Sequence, residues 1–152
     1  MIQDIIYPTH LCVVVRPSSG GWFASLWTDV VYFHALLFSA GILADTSRGG
    51  LISTPSMKYL SDTIRLLQNR LNESDPKLVA SDATIMTVVG LSATAAICGD
   101  MDAARNHVSG LFRLVEVRGG LATLTATHPS LIAKVCKYDS SHSLLLQVRV
   151  AK

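Results

Sequence analysis

The sequence predicts an all-α fold, an antiparallel helical bundle or α-solenoid-like array of about five helices. Three observations lead there. Apolar residues recur at helical spacing from Leu60 to Leu71 and again from Ala104 to Val115. No residue from Ala83 to Cys98 is charged. Proline, glycine, serine and aspartate punctuate the chain where helices start and stop.

The elements follow in order. Residues 1–21 are poorly patterned: Leu11-Cys-Val-Val-Val15 has strand propensity without a partner strand, and Pro17-Ser-Ser-Gly-Gly21 is a breaker. A first long helix is expected from Trp22 to about Asp45, apolar around most of its circumference, followed by the polar loop Asp45-Thr-Ser-Arg-Gly-Gly50. A second starts near Pro55 with Thr54 as N-cap. It places Leu60, Ile64, Leu67 and Leu71 on one face and Ser61, Asp62, Arg65, Gln68 and Asn69 on the other, and Asn72-Glu-Ser-Asp-Pro76 ends it.

A third helix begins at Ser81 or Asp82. It is apolar all round and rich in small residues, which suits the buried centre of a bundle, and Gly99 stops it. The fourth follows at once from Asp100. Ala104, Val108, Leu111 and Val115 form its core stripe, with His107 and Leu114 beside them. Asp102, Arg105, Ser109, Arg113 and Glu116 form its wet face, and Gly119-Gly120 end it. A short segment, Leu121 to Ala126, leads to a fifth helix with Pro129 in its first position. The helical domain is thus expected over residues 22–142. Residues 143–152 are unassigned; Leu146, Val148 and Val150 alternate there with polar residues as in a strand. The short loops make the first and second helices, and the third and fourth, antiparallel neighbours.

Composition narrows the function. The 152 residues suit one domain; 49% are hydrophobic and 16% charged, against about 25% charged in an average domain. A net charge of +2 without a Lys/Arg cluster does not support nucleic-acid binding. Cys12, Cys98 and Cys136 are scattered and never in a CxxC pair, the pattern of reduced buried thiols. No basic n-region marks a secretory signal, and Asn72-Glu73-Ser74 is discounted as a glycosylation sequon on that ground. Trp22 to Ala44 is long and apolar enough to cross a bilayer, but Asp29 and His34 would be costly there. A buried helix is the preferred reading, and a small membrane-associated helical protein anchored by residues 22–44 is the alternative.

The chemistry-bearing residues do not converge. His10, His34, His107, His128 and His142 have no second metal ligand at i+3 or i+4. Cys98 with His107 and Asp100 or Asp102 is the sharpest enzymatic combination, but Cys98 sits at a helix C-terminus, which disfavours a thiolate. Arg118-Gly-Gly-Leu121 follows a helix instead of opening one, so it reads as a stop signal, not a phosphate loop. No enzyme activity, cofactor or metal is therefore expected. Trp22, Phe23 and Trp27 read first as core and second as a partner hot spot. With Arg105 and Arg113, Trp22 and Trp27 are the candidate contact residues.

An ordered set of stretches resembles the fungal-specific transcription factor domain, the helical region that follows a binuclear zinc-cluster module in fungal regulators. They are Phe33-His-Ala-Leu-Leu37, Ile64-Arg-Leu-Leu-Gln-Asn-Arg-Leu-Asn72, Ser81-Asp-Ala-Thr-Ile85, Gly99-Asp100, His107-Val-Ser-Gly-Leu111 with Arg113, Arg118-Gly-Gly-Leu121 and Tyr138-Asp139. The set covers roughly Trp22 to His142, and only its order is distinctive. The six cysteines of the family's zinc cluster are absent. The resemblance implies a nuclear, transcription-regulatory or protein-interaction domain without its own DNA-binding module, working through protein partners or self-association. A small-molecule effector has no support.

Overall fold

The computed structural model describes residues 28–127 and residue 131. The fold is all-α, with five helices packed antiparallel and no strand among the described residues. They are α1 (Val30–Ser47), α2 (Thr54–Leu71), α4 (Asp82–Ile97), α5 (Met101–Val117) and α6 (Gly120–Thr127), and a single turn, α3 (Pro76–Val79), precedes α4. α1 packs against α2 on one side and α4 on the other; α5 packs on α4, and α6 on α5.

Two hairpins of the same construction make up most of the molecule. In each, an apolar helix is followed by an amphipathic one: α1 then α2, and α4 then α5. Both apolar helices end in a Schellman motif. At α1 the Gly49 N–H bonds the Thr46 carbonyl and the Gly50 N–H that of Asp45. At α4 the Gly99 N–H bonds Ala96 and the Asp100 N–H bonds Ala95 at 2.9 Å. Gly49 and Gly99 have φ of 65° and 80°, the left-handed region this motif requires. Asp100 then turns round at once: its carboxylate caps α5 by accepting from the Ala103 N–H. One residue closes α4 and opens α5, so the two antiparallel helices are joined with almost no linker.

The core is centred on α4. Residues 83–89 are all buried, and Ile85, Val89, Ile42, Leu111 and Leu124 are fully enclosed. A helix buried on nearly every side must satisfy most of its own polar groups, and in α4 the buried Thr87 hydroxyl is the exception. The Ser92 hydroxyl donates to the Ala104 carbonyl of α5, the Thr94 hydroxyl to the Gly90 carbonyl, and the Ser39 and Thr94 hydroxyls meet at 3.2 Å between α1 and α4. The expected stripe on α5 is the observed one: Ala104, Val108, Leu111, Leu114 and Val115 are buried.

Several boundaries differ from the sequence expectation. The first helix does not run unbroken from Trp22: Asp29 is extended, with φ −124° and ψ 110°, and caps α1 by accepting from the Val31 and Tyr32 N–H groups at 3.0 Å. α1 also continues to Ser47, two residues past Asp45. Ser53, not Thr54, caps α2, and Pro55 is the second helical residue. The segment expected to link the fourth and fifth helices is itself helical, as α6. Of the helix expected at Pro129, Leu131 is helical and buried. The rest of that helix, the N-terminal segment and the strand-like tail lie outside the described residues.

The largest difference is the rotation of α2. The sequence puts Leu60, Ile64, Leu67 and Leu71 on one apolar face, but that face is only partly turned to the core. The enclosed residues are Ser56, Thr63 and Leu67, flanked by Tyr59, Leu60 and Leu66, while Ile64 and Leu71 are exposed. Ser56 and Thr63 can lie inward because their hydroxyls are bonded. Thr63 donates to the Tyr59 carbonyl at 2.7 Å and Ser56 to the Asp45 carboxylate at 2.8 Å. Gly41 of α1 makes room for Ser56: a Cβ on Gly41 would lie 2.4 Å from the Ser56 hydroxyl oxygen.

Candidate interaction surface

Two ion pairs fix the helices that carry the surface. The Arg70 guanidinium, in the last turn of α2, donates to Asp29 at 2.5 Å, and both side chains are largely enclosed, at 12% and 16% exposure. Arg118, capping the C-terminus of α5, pairs with Asp82 in the first turn of α4 and donates to the Ala80 carbonyl at 3.2 Å. In both hairpins, then, an arginine at the C-terminal end of the amphipathic helix holds an acid at the N-terminal end of the apolar one. Each charge also complements the dipole of its own helix.

Asp45 closes the other end of the first hairpin. The Ser53 N–H and the Ser56 hydroxyl, both at 2.8 Å, hold its carboxyl below the usual carboxylate range. α2 is thereby tied to α1 at both ends, so its outward face has a defined orientation.

That face carries an apolar ridge. Met57, Ile64 and Leu71 are 48%, 39% and 43% exposed. They recur every seven residues, so they line up along one side of the helix, next to Leu60 and Leu67 of the core. The pattern was legible as hydrophobic periodicity. Its outward direction was not, because the inward side is filled by Ser56, Thr63 and Arg70.

The candidate contact residues fall in different places. Arg105 and Arg113 lie on the wet face of α5. Arg105 pairs with Asp102 at 2.6 Å, and Arg113 is exposed with no ion pair among the described residues. Trp22 and Trp27 lie outside the described residues.

At the α4–α5 corner Cys98 is exposed, not the buried thiol the sequence suggests, because it lies past the last turn of α4. Residual desolvation and then the Asp100 carboxylate push its thiol up, away from the thiolate a nucleophile needs. Burial pushes His107 down, partly opposed by Asp100. Among the described residues no three His, Cys, Asp or Glu side chains are placed to hold a metal ion. A cleft of about 420 Å³ is lined by Pro76, Lys77, Ala80, Ser81, Asp82, Val117 and Arg118. Arg118 is already engaged there by Asp82 and Ala80.

Two segments are long and apolar enough to cross a membrane by length and composition. Val30–Ser47 has a mean hydropathy of 1.4 and is 28% buried; Pro76–Ile97 has 1.5 and is 61% buried. The second is the core helix of the fold with the turn before it. The fold and this surface define a small all-α domain. No known protein family, curated protein or solved structure matches the chain.

Proposed function

We propose that this chain is a protein-interaction scaffold, and that its setting is transcription regulation, as its resemblance to the fungal-specific transcription factor domain implies. The observation that supports an interaction role is the ridge Met57–Ile64–Leu71 on α2, a helix tied in place by Asp29–Arg70 and by Asp45. A rigid helix presenting aligned apolar side chains is a common means of helix-mediated recognition. The wet face of α5, with Arg105 and Arg113, is a second contact surface, suited to acidic partners. The regulatory setting rests on the stretches in α1, α2, α4 and α5 that carry the resemblance. In this reading the helical domain itself does not contact DNA; a partner or a separate DNA-binding module does.

Tethering the full chain to a heterologous DNA-binding module upstream of a reporter tests this. A change in reporter output, abolished when Arg105 and Arg113 are replaced by Glu or when the α2 ridge is made polar, is expected. Unchanged output would overturn the regulatory setting.

The second reading, a membrane-associated helical protein, is favoured by one observation, the low burial of the apolar helix Val30–Ser47. Resistance of the chain to carbonate extraction from a membrane pellet would establish it and displace the first.

A further inference from the structure

We propose that the occupant of the α2 ridge is a second copy of this chain, docked antiparallel about a two-fold axis at Ile64. This rests on the interaction-scaffold reading and names its partner.

The ridge is self-complementary. Met57, Leu60, Ile64, Leu67 and Leu71 occupy the a and d positions of a heptad register, and the a positions are the exposed ones. Ile64 is equidistant in sequence from Met57 and Leu71. An antiparallel copy therefore sets Ile64 against its own equivalent and Met57 against Leu71 of the second copy, twice. A parallel copy would also stack the ridge, but it would bring the two α2 C-terminal ends together, each followed by the exposed acids Glu73 and Asp75.

The flanks fit the antiparallel arrangement. Ser61 and Gln68, the exposed residues beside the ridge, are uncharged, and the two-fold places Ser61 opposite Gln68 of the second copy, where they can exchange hydrogen bonds. Lys58, near the N-terminal end of α2, is exposed and approaches the C-terminal end of the partner helix, with Glu73 and Asp75 just beyond. Arg65 lies near the axis, and its own Asp62, 3.2 Å away, offsets its charge. Among the described helices α2 lies at an edge, packed chiefly on α1 and the short α3. An 18-residue helix offers about 27 Å of seam, the contact of a weak, concentration-dependent dimer.

Sedimentation equilibrium on the full chain, over a wide concentration range, tests this. The expected mass rises from 16.4 kDa towards twice that value, and Ile64→Asp holds it at 16.4 kDa with unchanged helical circular dichroism. Directed cross-linking gives an independent readout in a chain with Cys12, Cys98 and Cys136 changed to Ser. Under oxidation Ile64→Cys forms a disulfide-linked dimer. Leu71→Cys alone does not, but Leu71→Cys mixed with Met57→Cys does. A monomer at every concentration, a dimer indifferent to Ile64→Asp, or self-linking of Leu71→Cys would each overturn the proposal. A monomer that still alters the reporter in the tethering assay would remove the second copy and leave the scaffold reading standing.

Discussion

The Arg70 guanidinium lies 2.5 Å from the carboxylate of Asp29, the residue that caps α1. One acid thus serves two purposes. It satisfies two N–H groups at the start of an apolar helix and anchors the end of the neighbouring amphipathic one. Arg118 and Asp82 repeat the relation across α4 and α5. Asp29→Ala removes cap and pair together and should lower stability by about 3 kcal/mol. Asp29→Asn keeps a capping oxygen and should cost about half as much. Chemical denaturation of the two variants and of Arg70→Ala checks this. Equal losses for the two Asp29 variants would show that the pair, not the cap, carries the effect.

The close approach of α1 and α2 depends on the missing side chain at Gly41. A Cβ there would sit 2.4 Å from the Ser56 hydroxyl oxygen and 3.2 Å from its Cβ, and Ser56 is held by Asp45. Gly41→Ala should therefore destabilise the fold by about 1–3 kcal/mol despite the higher helix propensity of alanine. A thermal melt showing stabilisation would mean that the helices separate without penalty.

Two groups make stability fall towards acid, at separate steps. Burial depresses His107 in the folded state, so the unfolded chain binds its proton first as pH falls. The stabilisation is complete above the ordinary histidine pKa and is lost as pH drops through the folded value. The Asp45 carboxyl is also depressed, by its bonds to Ser53 and Ser56. Its contribution is complete above the ordinary aspartate pKa and is lost lower still. Melting temperature plotted against pH should show the first decline in the parent but not in His107→Gln. Asp45→Asn should remove the second.

The contrast between α2 and the other helices shows what was legible. α4 and α5 were readable because each presents one unambiguous pattern: no charge at all along α4, and a single apolar stripe along α5. At α2 the same reading chose the right helix and half of its inward face: Leu60 and Leu67 pack on the core, Ile64 and Leu71 do not. Ser56 and Arg70 face inward because Asp45 and Asp29 receive them, partners set by tertiary contact, and Thr63 can do so because its hydroxyl bonds the Tyr59 carbonyl one turn back in α2. The break at Asp29 was a missed local signal, a capping residue inside an apolar run. On the surface, the wet face with Arg105 and Arg113 was legible, while the ridge was visible as periodicity without a direction.

Cys98 tests the absence of thiol chemistry directly. Cys98 is exposed, but residual desolvation, the acidic neighbour Asp100 and its place as the C-terminal cap of α4 all oppose the thiolate. In a chain with Cys12 and Cys136 changed to Ser, alkylation of Cys98 at neutral pH should be slower than that of a free thiol and should accelerate with rising pH. Asp100→Asn should speed it modestly. Fast labelling at neutral pH would instead mark an activated cysteine and reopen a catalytic reading of Cys98 with His107.

Asn72 offers a test between the regulatory and membrane readings that does not depend on fractionation. It caps the C-terminus of α2 through its backbone, is exposed, and opens the sequon Asn72-Glu73-Ser74 in an exposed connection. That connection lies between the two apolar segments Val30–Ser47 and Pro76–Ile97. An accessible sequon is modified only where the chain meets the lumenal glycosylation machinery. Expressed in a eukaryotic host, the chain should show no mobility shift on N-glycosidase treatment, and Asn72→Gln should migrate with the parent. A glycosidase-sensitive form lost in Asn72→Gln would place α2 in the secretory lumen. That outcome would replace the nuclear setting with a membrane-associated one.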